Sequence, residues 1–390
     1  MAGPLTELRV AARLAARAVR RRLRGEMERA PDLNLVTASM QARLAAGVGE
    51  AVKAYRWIAL PATRAPWVAS GLVTSEGTEY STFAFGRIYA NRFLDIYVQP
   101  AQQLWFKIGE QGRIFRGTRS SHSFRASSPG ELLLGNNFPD NWSDPQGARL
   151  QPDSVYQALT GELRVLIVVW QGTAIDGLRQ LSRGAEAAQW LQQEIERIER
   201  GDKTPAGWNY LWRVGPAEIY ESAQDGDGAP CIRCRTRGDV GILQRDAELA
   251  LDESTELRWR WRVQRLPSKL REDAVPSHDY LSIAVEFDNG RDLTYYWSSR
   301  LPKDTGYDCP LPNWKGKEFH VVARSGRSGL GDWQDERRNL HADYLRYIGA
   351  PPARIVRVWL IANSVFQRAE GRCEYANIVL RGKGGQTRVL

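Results

Sequence analysis

Short runs of apolar and aromatic residues, separated by clusters of Gly, Pro, Ser and Asn, fill most of this chain from Pro61 onward. A break near residues 184–207 divides them into two series. Such runs, bounded by turn-forming residues, are typical of β-strands, and many strands at close spacing favour a sandwich. With 390 residues, the chain is longer than one hydrophobic core usually organises. The sequence therefore predicts a mainly β protein with two β-sandwich, jelly-roll-like domains.

Two strands are predicted with particular clarity. In residues 256–264 one face carries apolar side chains and the other carries basic and polar ones, in strict alternation. This pattern predicts a half-buried strand with a basic outer face, and it places Trp259 and Trp261 in a core. Residues 163–170 are apolar on both faces, which predicts a central strand.

Helical spacing of apolar residues predicts four helical segments: residues 4–28, a short helix starting near residue 38 and leading into a strand at 55–60, residues 184–200, and residues 334–348. The predicted domains are therefore an N-terminal helical segment (1–54), a first sandwich (55–182), a helical connector (183–207) and a second sandwich (208–390). In the first helix, one stripe is apolar: Leu5, Leu8, Ala12, Ala15, Val19 and Leu23. A second stripe is basic: Arg9, Arg13, Arg17, Arg20 and Arg24.

The formal net charge of +9 is concentrated partly in this first helix, and no nucleic-acid recognition motif accompanies it. We therefore expect no specific nucleic-acid partner. The first helix either packs on the body with a solvated basic face or makes peripheral contact with an anionic membrane. Arginines interrupt every apolar stretch that could form a signal peptide. We expect a cytoplasmic bacterial protein, with membrane association as the alternative.

Four cysteines in a chain of this length do not form a disulfide framework. Cys231 and Cys234 have C-x-x-C spacing, but no second pair follows at zinc-ribbon spacing. Their segment is predicted as a strand, in which residues three apart point to opposite faces. We interpret the cysteines as reduced structural thiols.

Residues 57–171 contain Trp67, Gly71, Gly77 and Gly86, followed by LWFKIG, SFRASSPGELLLGNNFPDNWSDPQG and GELRVLIVVW. In these features the segment resembles the calcium-dependent, galactose-binding lectins of bacteria, which are small jelly-roll sandwiches. The resemblance implies a calcium site in residues 136–147, held by Asn137, Asn141 and Asp144. Pro145 replaces a family asparagine and supplies no side-chain ligand. The alternative is that these residues only form tight turns. Tyr89, near a family carbonyl donor, and Trp142 are candidates for contact with the ligand.

Residues 208–384 contain WRW at 259–261, HDYLSIAVEFDNG, LTYYWS, HVVARSG, GLGDWQDERRNLHADYLRYIGAPP and IVRVWLIANS. Here the chain resembles a bacterial family of uncharacterised proteins, domain of unknown function 3047. The resemblance implies a β-sandwich but no chemistry, so candidates come from clusters of polar and aromatic residues. The catalytic candidates are His278, Asp288, Tyr295, Asp343 and Asn363. The ligand-binding candidates are Tyr296, Trp297, Trp333 and Arg337.

Other features of this half indicate structural roles. His320 and His122 are interpreted as ordinary structural residues, and His341 is a weak catalytic candidate. The glycines of SGRSGLGDW lack the strand–turn–helix setting of a phosphate loop, so this segment is predicted as a plain loop. No dinucleotide or P-loop motif occurs in its required setting, and we expect no nucleotide cofactor.

Three functions fit these observations. The first is a ligand-binding protein that recognises a carbohydrate or a glycosylated small molecule. The alternative is a cofactor-independent hydrolase, lyase or cyclase that acts on a sugar, polyketide or terpenoid in the second domain. The third is a scaffold at a membrane surface. The sequence determines neither the ligand nor the oligomeric state.

Overall fold

The computed structural model describes residues 3–26, 32–47, 49–64, 66–183 and 189–390. Among these residues, no helix is long and apolar enough to cross a membrane. The chain forms two compact units. The N-terminal unit comprises Arg21–Asp202 and Trp212–Ala217, and the C-terminal unit comprises Met1–Arg20, Lys203–Leu211 and Glu218–Leu390.

The N-terminal unit is built from two antiparallel sheets and several helices. Its strands are β1 (Val52–Pro61), β2 (Trp67–Thr74), β3 (Glu79–Asn91), β4 (Ile96–Val98), β5 (Leu104–Ile108), β6 (Ser121–Arg125), β7 (Gly130–Asn136) and β8 (Thr160–Trp170). The five-stranded sheet has the order β1-β8-β3-β4, with β6 also paired to β3, and the three-stranded sheet has the order β2-β7-β5. The ring of Phe106 in β5 lies 5.9 Å from that of Phe124 in β6, so the sheets pack face to face.

Strand β8 lies between β1 and β3, as its two apolar faces predicted. The helices begin with α1 (Pro4–Leu23), most of which belongs to the C-terminal unit. The helices of the N-terminal unit are α2 (Leu33–Gly47), α3 (Pro100–Gln103), α4 (Asp153–Gln157), α5 (Ala174–Leu181) and α6 (Gln189–Arg200). One apolar cluster joins α2, α5 and α6 to the five-stranded sheet.

The predicted connector thus differs from the structure, because Leu191 and Ile195 of α6 are buried in that apolar cluster and make the helix part of the N-terminal unit. Helix α2, which was predicted as part of a separate N-terminal segment, also belongs to the N-terminal unit, because its Met40 and Leu44 are buried in the same apolar cluster. Residues 184–188 of the predicted helix 184–200, and residues 27–28 of the predicted helix 4–28, lie outside the described residues.

The C-terminal unit contains two larger sheets. Its strands are β9 (Asn209–Tyr210), β10 (Tyr220–Gln224), β11 (Pro230–Arg237), β12 (Val240–Ala250), β13 (Glu256–Arg265), β14 (Tyr280–Phe287), β15 (Asp292–Ser298), β16 (Gly306–Asp308), β17 (Glu318–Ser325), β18 (Gln334–Asn339), β19 (Arg354–Asn363), β20 (Glu370–Gly382) and β21 (Gly385–Arg388). The six-stranded sheet has the order β10-β11-β20-β13-β18, with β21 paired to β20. The seven-stranded sheet has the order β16-β17-β15-β14-β19-β12-β9.

The inner faces of these sheets meet through aromatic rings. The ring of Trp259 lies 5.7 Å from that of Tyr295, and the ring of Trp261 lies 5.8 Å from that of Trp297. Trp259 and Trp261 are 1% and 0% exposed, which confirms that the alternating strand buries its apolar face. The chain is therefore mainly β with two sandwiches, as predicted.

The predicted helix 334–348 is wrong in its first half. Residues Gln334–Asn339 form β18, which pairs with β13, and only Leu340–Tyr347 form a helix, α7. The side chain of Asn339 caps this helix by accepting a hydrogen bond from the backbone N–H of Ala342 at 2.8 Å. Pairing with the edge of a sheet has overridden the helical propensity of the acidic and basic residues before the cap.

Helix α1 packs within the C-terminal unit through a stripe that the sequence did not indicate. Its buried residues are Val10, Leu14 and Ala18. The apolar stripe read from the sequence is largely exposed. The exposed fractions are 74% for Leu5, 67% for Leu8, 43% for Val19 and 84% for Leu23. One apolar side of α1 is therefore packed, and a second one faces solvent.

Candidate functional site

The segment that resembles the lectin calcium loop is closed by its own hydrogen bonds. Asn137 and Asn141 are buried, and Asn137 Nδ2 donates to the carbonyl oxygen of Asn141 at 3.0 Å. Asn141 Nδ2 donates back to Asn137 Oδ1 at 3.0 Å, and the hydroxyl of Tyr156 contacts both amides. Asp144 Oδ1 accepts from the backbone N–H groups of Gln146 and Ala148 at 2.9 and 3.1 Å.

This arrangement does not fit a calcium ion without rearrangement. Calcium takes six to eight oxygen ligands, whereas the side-chain oxygens of Asn137 and Asn141 already accept hydrogen bonds from protein donors. The carboxylate of Asp144 stabilises the turn that contains Pro145. The geometry favours the alternative reading of these residues as turn formers, and calcium binding here stays a prediction.

The two aromatic candidates of the N-terminal unit lie in different surroundings. Trp142 is 1% exposed and stacks on Trp67 at 5.3 Å, so both faces of its ring are within a core. Tyr89 is half-buried in β3, with the guanidinium of Arg92 4.4 Å from its ring centroid. Of these two rings, only that of Tyr89 reaches the surface.

The catalytic candidates lie in three separate places. Tyr295 donates to Asp343 Oδ2 at 2.8 Å, and Asp343 also pairs with Arg338 at 2.7 Å, so this carboxylate is neutralised by a cation. Asn363 Nδ2 donates to the carbonyl oxygen of His278 at 2.8 Å. Asp288 is exposed and belongs to neither pair. The structure does not assemble these five residues into one acid–base site.

The ligand-binding candidates of the C-terminal unit differ in how far they are exposed to solvent. Tyr296 and Trp297 are 0% and 1% exposed, which leaves no ring face for a ligand. Trp333 is half-buried, and the guanidinium groups of Arg260 and Arg262 lie 5.2 and 5.1 Å from its ring centroid. Arg337 is exposed and pairs with Glu256.

A cavity of about 700 Å³ opens in the C-terminal unit, and we call it the basic pocket. It lies at one end of the sandwich, where β13, β15 and β17 end. Its lining residues are Gln264, Arg265, Leu266, Ser268, Lys269, Ser299, Arg300, Gly326, Arg327 and Leu330. The described lining contains no carboxylate. A pocket of this volume is in the usual range for small-molecule sites.

Hydrogen bonds with buried side chains hold the loops around the basic pocket in place. Trp297 Nε1 donates to the carbonyl oxygen of Gly326 at 3.0 Å. The carboxylate of Glu272 accepts from Ser298 Oγ at 2.5 Å and from the backbone N–H of Ser299 at 2.7 Å. Burial raises the pKa of Glu272 to about 7. Gly326 adopts a φ of 76°, a conformation that other residues rarely adopt.

The cations of the pocket are not equally available. Arg265 forms an ion pair with Glu370, and Arg300 Nε donates to the carbonyl oxygen of Lys269 at 3.2 Å. The side-chain nitrogens of Lys269 and Arg327, by contrast, have no protein partner among the described residues, and both residues are exposed. The pocket therefore presents positive charge that the protein does not itself neutralise.

A second group of side chains with possible ligand atoms lies in the interior of the same unit. His278, Cys309, Glu318 and His320, which we call the buried cluster, place one possible ligand atom each within 4.8 Å of one another. His278, Cys309 and His320 are 0% exposed and Glu318 is 2% exposed. Among the described residues, this is the group of three or more His, Cys, Asp or Glu side chains whose positions could hold a metal ion.

Strand pairing builds the buried cluster. Glu318 and His320 are two residues apart in β17 and therefore share a face of the sheet. The backbone N–H of Cys309, which follows β16, donates to the carbonyl oxygen of Glu318 at 2.9 Å. His278 Nε2 lies 3.5 Å from Cys309 Sγ. Burial raises the pKa of the Cys309 thiol well above its ordinary value, so this thiol does not have the lowered pKa of an activated nucleophile.

Comparison with known families identifies the region that carries both features. Residues 207–379 match the model of DUF3047, described as "Protein of unknown function (DUF3047)". The basic pocket and the buried cluster both lie within the residues that match this model. No protein with a curated description matches the chain.

The matching solved structures include lectin, carbohydrate-binding and glycosidase domains. The EclA N-terminal domain, a PllA-like lectin, is 13% identical, with 29% of this chain and 95% of that chain covered and a TM-score of 0.23. The xyloglucanase domain of NopAA from Sinorhizobium fredii is 8% identical, with 47% and 97% covered and a TM-score of 0.30. TmCBM61, in complex with β-1,4-galactotriose, is 10% identical, with 49% and 93% covered and a TM-score of 0.25. At these TM-scores the likeness carries no argument about function.

Sequence reasoning missed most of the candidate functional residues of the C-terminal unit that the structure brings together. It selected His278 as a catalytic candidate and interpreted His320 as an ordinary structural residue, although the E-x-H spacing of Glu318 and His320 in a strand was visible. The loop of Arg327 was predicted only as a plain loop. Nothing in the sequence indicated that Lys269 and Arg300 would meet this loop, because the segments that carry them follow different strands and come together only in the folded sandwich.

Proposed function

We propose that the C-terminal unit binds an acidic carbohydrate, or a small molecule glycosylated with one, in the basic pocket. The observation that carries this proposal is the lining itself: Lys269, Arg300 and Arg327 surround a cavity without a carboxylate. Arginine and lysine donate charge-assisted hydrogen bonds to carboxylate, sulfate and phosphate groups. The glutamine amide and serine oxygens of the lining suit hydroxyl groups, and two leucines suit the apolar edge of a sugar ring.

The test is calorimetric titration of the full chain with matched sugars, for example galacturonic acid oligomers against neutral galactose oligomers. We expect binding of the acidic series only, weakened by added salt because the pocket is open to screening ions. The double change Lys269→Ala and Arg327→Ala is expected to weaken binding about a hundredfold or more, since each of the two lost charge-assisted hydrogen bonds contributes about 1.5–3 kcal/mol.

Arg381→Ala is the matched control, because Arg381 is an exposed arginine of β20 outside the pocket. It is expected to leave binding unchanged. Equal affinity for neutral and acidic oligomers, or an undiminished affinity in the double variant, would remove the proposal. Binding of inorganic phosphate or sulfate with the same affinity as the sugars would limit the ligand to the anion alone.

We also propose that α1 contacts anionic membrane surfaces. The exposed apolar stripe of α1 supports this proposal, because Leu5, Leu8 and Leu23 are each more than half exposed. Exposed arginines flank the stripe: Arg9, Arg13, Arg20 and Arg24. A helix with an apolar side beside a basic one lies favourably in the headgroup region of an anionic bilayer.

Vesicle pelleting tests this second proposal. The full chain is expected to sediment with vesicles that contain phosphatidylserine and not with pure phosphatidylcholine vesicles. Leu5→Glu combined with Leu8→Glu should abolish sedimentation. Leu345→Glu, a change at a leucine of α7 that is 58% exposed, serves as the control. If the double variant sediments like the unaltered chain, α1 is not the contact.

A further inference from the structure

The donor atoms of the buried cluster match the preferences of one class of metal. Two imidazoles, a thiol and a carboxylate come together in the positions of His278, His320, Cys309 and Glu318. Zinc binds this combination of nitrogen, sulfur and oxygen ligands, whereas calcium and magnesium take oxygen ligands. A tetrahedral zinc ion with bonds of about 2.0–2.3 Å holds its ligand atoms roughly 3.5 Å apart. Donor atoms that already lie within 4.8 Å reach that spacing by small side-chain rotations.

The ring of His278 is oriented as a metal ligand is. Its Nδ1 lies 2.6 Å from the carbonyl oxygen of Glu272. Since a carbonyl oxygen only accepts hydrogen bonds, Nδ1 carries the proton, and Nε2 is left with its lone pair toward Cys309 Sγ. A histidine that donates its other ring N–H to a backbone carbonyl is the usual arrangement around bound zinc.

The carboxylate of Glu318 is likewise held in place by hydroxyl groups. Tyr280 donates to Glu318 Oε1 at 3.0 Å, and Thr294 Oγ1 lies 3.2 Å from the same oxygen and 2.8 Å from Asp292 Oδ1, so its one proton is shared between the two carboxylates. Ligating carboxylates are commonly oriented by such outer hydrogen bonds.

His320 supplies an independent indication of a missing ligand. It is 0% exposed, and neither of its ring nitrogens has a hydrogen-bond partner among the described residues. Its Nε2 lies 3.4 Å from Glu318 Oε1, but not in the alignment of a hydrogen bond. Its ring stacks on that of Tyr307 at 5.1 Å, so aromatic contacts hold it without satisfying its polar atoms. A buried polar group without a partner is costly, and a metal on one nitrogen would satisfy one of these two atoms.

The charges also balance. On binding Zn²⁺, the Cys309 thiol loses its proton to solvent, so that one thiolate, one carboxylate and two neutral imidazoles surround a doubly positive ion. The resulting centre is neutral, which is the condition under which charged groups are tolerated in a protein interior.

We propose that His278, Cys309, Glu318 and His320 bind one zinc ion that stabilises the C-terminal unit. Four protein ligands complete a tetrahedral zinc site and leave no position for substrate. The near-complete burial of all four residues agrees with a structural ion rather than a catalytic one.

The first experiment is metal analysis of the untagged full chain, expressed with added zinc and dialysed against metal-free buffer. About one zinc ion per chain is expected. Replacement of the zinc by Co²⁺ should then give the thiolate-to-metal absorption of a cysteine-ligated cobalt ion. This second measurement needs no variant, so it decides the proposal even if altered chains fail to fold.

The variants Cys309→Ser and His320→Gln should each lower the zinc content at least fivefold, and Cys309→Ser should abolish the thiolate absorption. Cys231→Ser is the matched control, because Cys231 is a buried free thiol of β11 outside the cluster. It should retain zinc and the absorption band. A full chain that binds no zinc after expression and refolding with the metal would overturn the proposal. So would a cobalt form without thiolate absorption, or a zinc content that neither Cys309→Ser nor His320→Gln changes.

Discussion

Residues 136–147 of the N-terminal unit and the buried cluster of the C-terminal unit both gather side chains that bind metals in other proteins. They differ in how those side chains are satisfied. In the loop, Asn137 and Asn141 exchange hydrogen bonds and Asp144 caps backbone N–H groups. In the cluster, both ring nitrogens of buried His320 lack hydrogen-bond partners within the part of the chain that the structure describes. Side chains of metal-binding types therefore occur in two different settings, and of the candidate ligands only His320, in the buried cluster, lacks a hydrogen-bond partner among the described residues.

Of the changes predicted for these two regions, removal of zinc from the buried cluster should lower the free energy of unfolding most. A ligand at a thousand times its dissociation constant stabilises the native state by about 4 kcal/mol. In a unit of this size that corresponds to roughly 8–16 °C of melting temperature. Calorimetry of the full chain with and without a zinc chelator measures the shift. Added calcium should cause no comparable change in melting temperature. A calcium-dependent rise in melting temperature would instead favour a metal site in residues 136–147.

Glu194→Gln tests a carboxylate of the N-terminal unit that is fully satisfied by protein groups. Glu194 is 0% exposed, pairs with Arg197 and accepts from Ser121 Oγ at 2.6 Å. Burial opposes ionisation, but the hydrogen bonds and charge of Arg197 hold the pKa of Glu194 below its ordinary value. Breaking this buried pair should cost about 3 kcal/mol at pH 7, measured by urea unfolding.

The pH dependence of this cost has a definite sign. Because the pKa of Glu194 is lower in the folded state, the stability it contributes is present above the unfolded-state pKa and is lost as the pH falls through the folded-state value. The difference between the unaltered chain and Glu194→Gln should shrink in acid. A difference that stays constant from neutral to acid pH would contradict an ionised Glu194.

Asn137→Ala should cost about 2 kcal/mol, because it leaves the buried amide of Asn141 with one partner fewer. The loss should be the same in calcium and in a calcium chelator. Urea unfolding in both buffers measures it. A loss seen only with calcium present would show that the loop binds the ion after all.

Asp144→Ala should have the smallest effect, about 1 kcal/mol, because it removes only the side-chain cap of an exposed turn. Thermal melting measures the change, with Asp144→Asn as a control that retains the accepting oxygen. Stability equal to that of the unaltered chain would mean that water replaces the cap without cost.

The sequence by itself determined the class of the fold and much of its local pattern. Strict alternation in residues 256–264 placed Trp259 and Trp261 in the core, and the doubly apolar run 163–170 became central strand β8. Hydrophobic periodicity and turn-forming residues depend on a few neighbouring positions, so both can be recognised in the sequence without knowledge of the fold. The resemblance to DUF3047 was confirmed over residues 207–379.

Only the tertiary structure decided which residues meet. The sequence predicted Tyr296 and Trp297 of β15 as ligand-binding residues. In the structure, the second sheet covers one face of β15 and the segment around β16 covers the other, so every residue of this strand is buried. Residues 334–339 became a strand because β13 offered an edge to pair with. His278 and His320 are far apart in the chain, yet their rings lie 4.7 Å apart. Contacts of this kind arise from strand order and register, which no local pattern of residues specifies.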